Sequence, residues 1–174
     1  MKLSRERPYV YELSSGSKIT LLQNMDGIGT SVWDGSIVLA RYLEHLVSQG
    51  KLDLDGKSLV ELGAGCGLVG LSTAAIGCSR VVLTESGPLN CLKNLEATVK
   101  KNSAVAEGKV SVEEHTWGKG VEALGGPFDV VIGAEIMYVE EATADLIGSI
   151  RALAHDESLI LLSYGRNRYE ITYF

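Results

Sequence analysis

Apolar residues recur along this chain in two rhythms. Near the start, Tyr9, Tyr11 and Leu13 alternate with Val10 and Glu12, and Lys18 to Gln23 forms a second apolar stretch. A period of two marks a half-buried strand, and Ser14-Ser15-Gly16-Ser17 is turn material, so the first 25 residues predict a hairpin. Met25 to Thr30 reads as a loop. Leu39, Leu43, Leu46 and Val47 then recur at helical spacing, with Gly50 as a stop. Beyond this point short apolar runs alternate with helical patterns. Strands are predicted over Ser58–Leu62, Arg80–Thr84, Val110–Glu114, Phe128–Gly133 and Ser158–Ser163. One intervening helix carries Leu68, Val69, Leu71, Ala74 and Ala75 and ends at Gly77. A second opens near Pro88 and aligns Leu92, Leu95 and Val99; a third aligns Leu146, Ile147, Ile150 and Leu153. Phe128–Gly133 is almost continuously apolar, as expected of a strand covered on both faces in the middle of a parallel sheet.

Strands separated by helices imply right-handed crossovers and an α/β, doubly wound, mostly parallel sheet with the hairpin as an N-terminal extension. The expected division is residues 1–30 for the hairpin and 31–174 for the α/β domain. In such sheets a ligand lies beyond the C-terminal strand ends, where strand order reverses.

Composition adds exclusions. The chain has 174 residues, 45% hydrophobic and 22% charged, which is ordinary for a globular domain. No stretch reaches the ~18 uncharged residues of a membrane span, and the N-terminus lacks the apolar core of a signal peptide. A cytoplasmic or nuclear location without membrane attachment is expected. The net charge of −6 gives no general attraction for nucleic acid phosphate. Cys66, Cys78 and Cys91 form no CxxC pair and read as reduced thiols. His45, His115 and His155 lie far apart, and no metal site is expected.

The sharpest motif is Glu61-Leu62-Gly63-Ala64-Gly65-Cys66-Gly67-Leu68-Val69-Gly70, between a strand and its helix. Glycines there let the backbone turn tightly and approach a ligand closely. A dinucleotide fingerprint, GxGxxG, would need glycine at position 68, which is Leu68. The spacing GxGxG suits a nucleoside ligand without a diphosphate, S-adenosylmethionine being the common case, with its carboxylate at the helix N-terminus. The competing reading is a tight turn that binds nothing. Glu85, 20 residues after Gly65, ends the next strand. It is placed either to accept both ribose hydroxyls or to cap the following helix.

Three segments occur in order: Val32-Trp33-Asp34-Gly35-Ser36-Ile37-Val38-Leu39-Ala40, the loop Glu61 to Gly70, and Gly133-Ala134-Glu135-Ile136-Met137-Tyr138. Together they resemble the seven-strand S-adenosylmethionine-dependent methyltransferases. More narrowly, they resemble the lysine methyltransferase branch that modifies chaperones, AAA ATPases such as valosin-containing protein, and elongation factors. The resemblance covers about residues 10 to 170. It implies S-adenosylmethionine as cofactor, S-adenosylhomocysteine as product, and a protein substrate, with Trp33 flanking the methionine end. Gly63, Ala64 and Gly65 would pass beneath the cofactor, Glu85 would hold the ribose, Trp117 would lie against the adenine, and Ala134 would line the floor. For both tryptophans the other reading is core packing.

The family signature after the fourth of these strands is Asp-x-x-Tyr. Here it is Glu135-Ile136-Met137-Tyr138, one methylene longer. By the resemblance Glu135 and Tyr138 are the catalytic pair. A lysine nucleophile must be neutral, and with a pKa of ~10.4 its deprotonation at pH 7 costs about 4–5 kcal/mol. A carboxylate can position the amine, and a tyrosine face tolerates a methylated ammonium. The alternative for Glu135 is a buried acid held by backbone N–H groups, and for Tyr138 a core residue. Cys66 reads as a small packing residue. An S-adenosylmethionine-binding module without activity, and a small-amine methyltransferase, remain alternatives to the lysine enzyme. The run Tyr169 to Phe174 reads as the start of another helix. The family's last two strands are then missing, which would leave the Leu159–Leu162 edge open to dimerisation.

Overall fold

The computed structural model describes residues 7–24, 28–86, 90–138 and 140–165. The expectations for Met25–Gly27, Pro88 and the Tyr169–Phe174 tail lie outside the described residues. Strands β1 (Tyr9–Glu12) and β2 (Lys18–Leu21) form the antiparallel hairpin, with Tyr11 opposite Ile19. Its alternation works as read: Tyr11, Leu13, Ile19 and Leu21 are buried while Val10 faces out. Five further strands are all parallel: β3 (Ser58–Glu61), β4 (Arg80–Glu85), β5 (Val110–Glu114), β6 (Phe128–Ala134) and β7 (Ala154–Ser163). Their spatial order is β5-β4-β3-β6-β7, so the chain builds outward from β3 and then reverses to its other side at β6. The C-terminal ends of β3 and β6 therefore flank the switch point, where such sheets bind ligands.

Helices α1 (Asp34–Ser48), α2 (Leu68–Ala75) and α3 (Cys91–Lys101), with the short α4 (Ser103–Ala106), accompany the hairpin on one face. Helix α5 (Thr143–Leu153) covers the other. Leu39 and Leu43 of α1 are buried, as the spacing predicted. α2 is buried through Ala74, and its two polar side chains, Ser72 and Thr73, donate back to the Leu68 and Gly70 carbonyls. In α5, Leu146, Ile150 and Leu153 turn inward, but Ile147 is 44% exposed. The expected four-residue stripe is thus three wide, because Ser149 takes an inward position that Ile147 was assigned. β7 begins four residues earlier than expected. The register shift opposite Phe128 and Val130 accommodates the added length. Among the described residues β7 pairs with β6 alone.

Helix α3 binds the hairpin through polar side chains at four-residue intervals. Asn102 Oδ1 accepts the Thr20 N–H at 2.8 Å and its Nδ2 donates to the Thr20 carbonyl at 2.8 Å. Thr98 Oγ1 accepts the Leu22 N–H at 3.3 Å, and Asn94 Nδ2 donates to the Leu22 carbonyl at 2.8 Å. These side chains supply the partners a neighbouring strand would give, and so cover an otherwise open edge. A second tie joins the hairpin to α1: the buried Glu44 accepts the Tyr11 hydroxyl and the Ser14 N–H. Glu44 is held below the usual carboxylate range because these donors and Arg41 outweigh its burial. The hairpin in turn fixes the approach to the switch point, since Gln23 Oε1 accepts the Val32 N–H at 2.8 Å, next to Trp33.

Candidate functional site

A cavity of about 420 Å³ opens at the C-terminal ends of β3, β4, β5 and β6. That is within the usual range for a small-molecule site. Of the nine residues the sequence singled out, eight line it: Trp33, Gly63, Gly65, Glu85, Trp117, Ala134, Glu135 and Tyr138. Ala64 does not. It lines a smaller space of about 30 Å³ behind the loop, together with Glu61 and Ser36, because left-handed turns on either side aim the loop's alternate residue away from the main cavity.

The loop needs its glycines. Gly63, Gly65 and Gly67 have φ of 62°, 56° and 79°, a region side chains rarely adopt. At Gly63 a Cβ would also come within 2.8 Å of Ile136 and 3.6 Å of the Trp117 ring. The loop is pinned by the Ala64 N–H donating to the Thr84 carbonyl and the Gly65 N–H donating to Glu85 Oε2, at 2.8 and 2.9 Å. Glu85 Oε1 accepts the Ser86 N–H at 2.9 Å. Burial pushes the Glu85 carboxyl up, and these N–H donors partly offset it. Each of its oxygens has lone-pair capacity beyond the backbone bond it accepts.

Neither tryptophan is a core residue. Trp33 occupies the N-cap position of α1 in extended conformation, and Trp117 follows β5; both are half-buried at the cavity. Tyr138 is 49% exposed at the same site, which removes the core reading for it too.

Glu135 is half-buried, and backbone N–H groups hold it at the cavity. It lines the cavity, and its Oε1 accepts the Gly35 N–H at 3.1 Å while Oε2 accepts the Gly165 N–H at 3.3 Å. Its own N–H donates to the Ser163 carbonyl at 2.7 Å. Its φ of 59° is strained for a side chain of this size, a condition that concentrates at functional sites. The carboxylate thus serves the first turn of α1, which has no side-chain cap of its own. The arrangement requires glycine at position 35, where a Cβ would lie 2.7 Å from Glu135 Oε1.

Sequence reasoning missed other members of the wall. His115 ends the β5 segment, buried, with Nε2 3.3 Å from Ser149 Oγ. Burial lowers its pKa, offset in part by its bond to the Lys119 backbone, which favours a neutral ring. Gly29, Cys91 and Asp145 also line the cavity. Only their tertiary placement brings them there, although the position of His115 one residue past a predicted strand was a usable signal. Cys66 packs as expected: it is buried, and burial pushes its thiol up to about 12, so it is no nucleophile.

A lysine methyltransferase family model matches residues 14–174. Protein N-lysine methyltransferase METTL21A of Danio rerio is 39% identical over 146 residues, covering 83% of this chain and 63% of that protein. The mouse protein of the same name is 38% identical, with the same coverage. EEF1A lysine methyltransferase 3 of Xenopus tropicalis is 32% identical over 139 residues, covering 79% of this chain and 58% of that one. The matched stretch therefore spans under two thirds of these relatives. Among solved structures, Pyrococcus horikoshii TYW2 in complex with MeSAdo superposes with a TM-score of 0.62 at 18% identity, covering 92% of this chain and 52% of that chain. That likeness establishes the fold.

Proposed function

The chain belongs to the lysine methyltransferase family, and from that premise we propose that it is an S-adenosylmethionine-dependent methyltransferase acting on a lysine of a protein substrate. The observation that carries this reading is Glu85, a half-buried carboxylate fixed by the Gly65 N–H at the floor of a nucleoside-sized cavity. The donor set fits the cofactor: an acceptor pair for a vicinal diol, a glycine loop no side chain would leave open, and tryptophans for flat or thioether surfaces. When bound, the cofactor supplies an activated methyl group on a sulfonium.

The chain's own residues would do the rest. The Gly63–Gly67 loop and the N-terminus of α2 hold the methionine carboxylate. Glu85 accepts the ribose hydroxyls. Trp33 and Ala134 close the walls beside the reacting end, excluding water, and Tyr138 at the mouth offers its face to an ammonium or its methylated product. Glu135 fixes the first turn of α1 against β7 and so sets where Trp33 stands; its negative charge also lies beside the incoming cation. Alignment of a neutral amine with the methyl group supplies much of the acceleration.

The substrate reading extends to a chaperone, AAA ATPase or elongation factor, the last supported by the relatives named for elongation factor 1A methylation. The apolar β7 edge, with Ile160 44% exposed, supports self-association. The test is calorimetric titration with S-adenosylhomocysteine, followed by labelled methyl transfer into a whole-cell protein extract. Saturable binding and label on lysine of a discrete protein are expected. Binding without transfer would replace the enzyme by a cofactor-binding module, and no binding would remove the cofactor reading.

A further inference from the structure

Asp145 lies in the first turn of α5 and lines the cavity beside Trp117 and His115. The same helix face fixes the loop that carries Trp117. Ser149, one turn along, accepts the Gly118 N–H at 2.8 Å and pairs with His115. Asp145 is seated directly against Gly118, where an added Cβ would come within 2.8 Å of its Oδ1. Among the described residues its carboxylate has no hydrogen-bond or ion-pair partner, whereas Glu85 and Glu135 both accept backbone N–H groups. Asp145 is exposed to solvent while lining the cavity; a carboxylate is an acceptor only, so at this aromatic end it can exchange water for a donor N–H of a bound ligand.

A purine carries such a donor in its 6-amino group. Resting on the cofactor reading above, we infer that Asp145 accepts an N–H of the adenine 6-amino group and makes the site select adenine over 6-oxo purines. A 6-oxo base would turn a carbonyl oxygen toward the carboxylate, acceptor against acceptor, and leave both unpaired.

The experiment measures affinities for S-adenosylhomocysteine and its 6-oxo analogue, which carries hypoxanthine, by titration calorimetry. The wild-type chain, Asp145→Ala and Asp145→Asn are compared. The wild type should prefer the 6-amino ligand by about tenfold or more, the size of one charge-assisted bond at a partly open site. Asp145→Ala should bring the ratio to within about threefold. Asp145→Asn, which can donate as well as accept, should bind the 6-oxo ligand more tightly than the wild type does; a loss of folding would weaken both ligands alike. An unchanged ratio in both variants, or equal losses for the two ligands, would overturn the inference. Failure of the wild type to bind either ligand would overturn the cofactor reading itself and the assignment with it.

Discussion

Two glutamates end adjacent parallel strands and have opposite surroundings. Glu61 closes β3 and Glu85 closes β4, two residues further along the register. Glu61 is 2% exposed and its Oε2 accepts the Gly70 N–H at 2.8 Å, in the first turn of α2. Burial and the neighbouring Glu85 push Glu61 up to about 8, with the Gly70 N–H opposing them, so it stands largely neutral at pH 7. Glu85 accepts two backbone N–H groups and faces the cavity. The same side chain caps a helix in one place and lines the cavity in the other. What separates them is not residue type but the size of the space beside each: about 30 Å³ at Glu61 and about 420 Å³ at Glu85.

The comparison can be broken most forcefully at Glu61. Glu61→Ala leaves the Gly70 N–H without its partner and a void behind the loop, and should destabilise the chain by about 3 kcal/mol or more in urea unfolding. Glu85→Ala should cost less stability than Glu61→Ala, because water at the cavity can replace the acceptor for the Gly65 and Ser86 N–H groups, and should weaken S-adenosylhomocysteine binding by about 100-fold in calorimetry, the loss of two charge-assisted acceptors. If Glu85→Ala cost more stability than Glu61→Ala, the assignment of roles would be reversed.

A pH series sharpens the contrast. The folded-state value of Glu61, about 8, lies above its ordinary 4.5. Between those values the folded chain holds a proton the unfolded chain has released, so stability falls as pH rises from about 5 to 8 and levels beyond. Glu61→Gln, uncharged at every pH, should flatten that decline, which amounts to a few kcal/mol at most. Equal slopes for wild type and Glu61→Gln would dismiss the neutral capping acid. The smallest effect belongs to Asn102→Ala, which frees both Thr20 backbone groups. It should lower stability by about 1–2 kcal/mol and raise the hydrogen-exchange rate at Thr20, with transfer activity close to wild type.

Much of this was legible in the chain. The hairpin, all five parallel strands and the principal helices follow from periodicity, and the glycine spacing with Glu85 located the cavity. Trp33, Trp117 and Tyr138 came from the resemblance, and the structure brings them to one place. The misses share a cause. Ile147 fits the helical stripe, but which residue of a stripe faces in depends on the sheet beneath it. Glu61 was visible as the first letter of its motif, yet its burial depends on how α2 folds back over β3. The attachment of Glu135 to Gly35 joins positions 100 residues apart, and nothing local in either segment announces it.

The polar ladder of α3 on the hairpin has a metric consequence. Four helical residues advance about 6.0 Å and two strand residues about 6.6 Å, so the step from Thr98 to Asn102 matches the step from Leu22 back to Thr20, while Asn94 reaches the carbonyl of the same Leu22 whose N–H Thr98 accepts. The two advances differ by about 0.6 Å over that step, a mismatch the side chains absorb. One residue inserted between Asn94 and Asn102 would turn the far rung by about 100° and unhook the hairpin, whereas the same insertion after Asn102 would leave all three engaged.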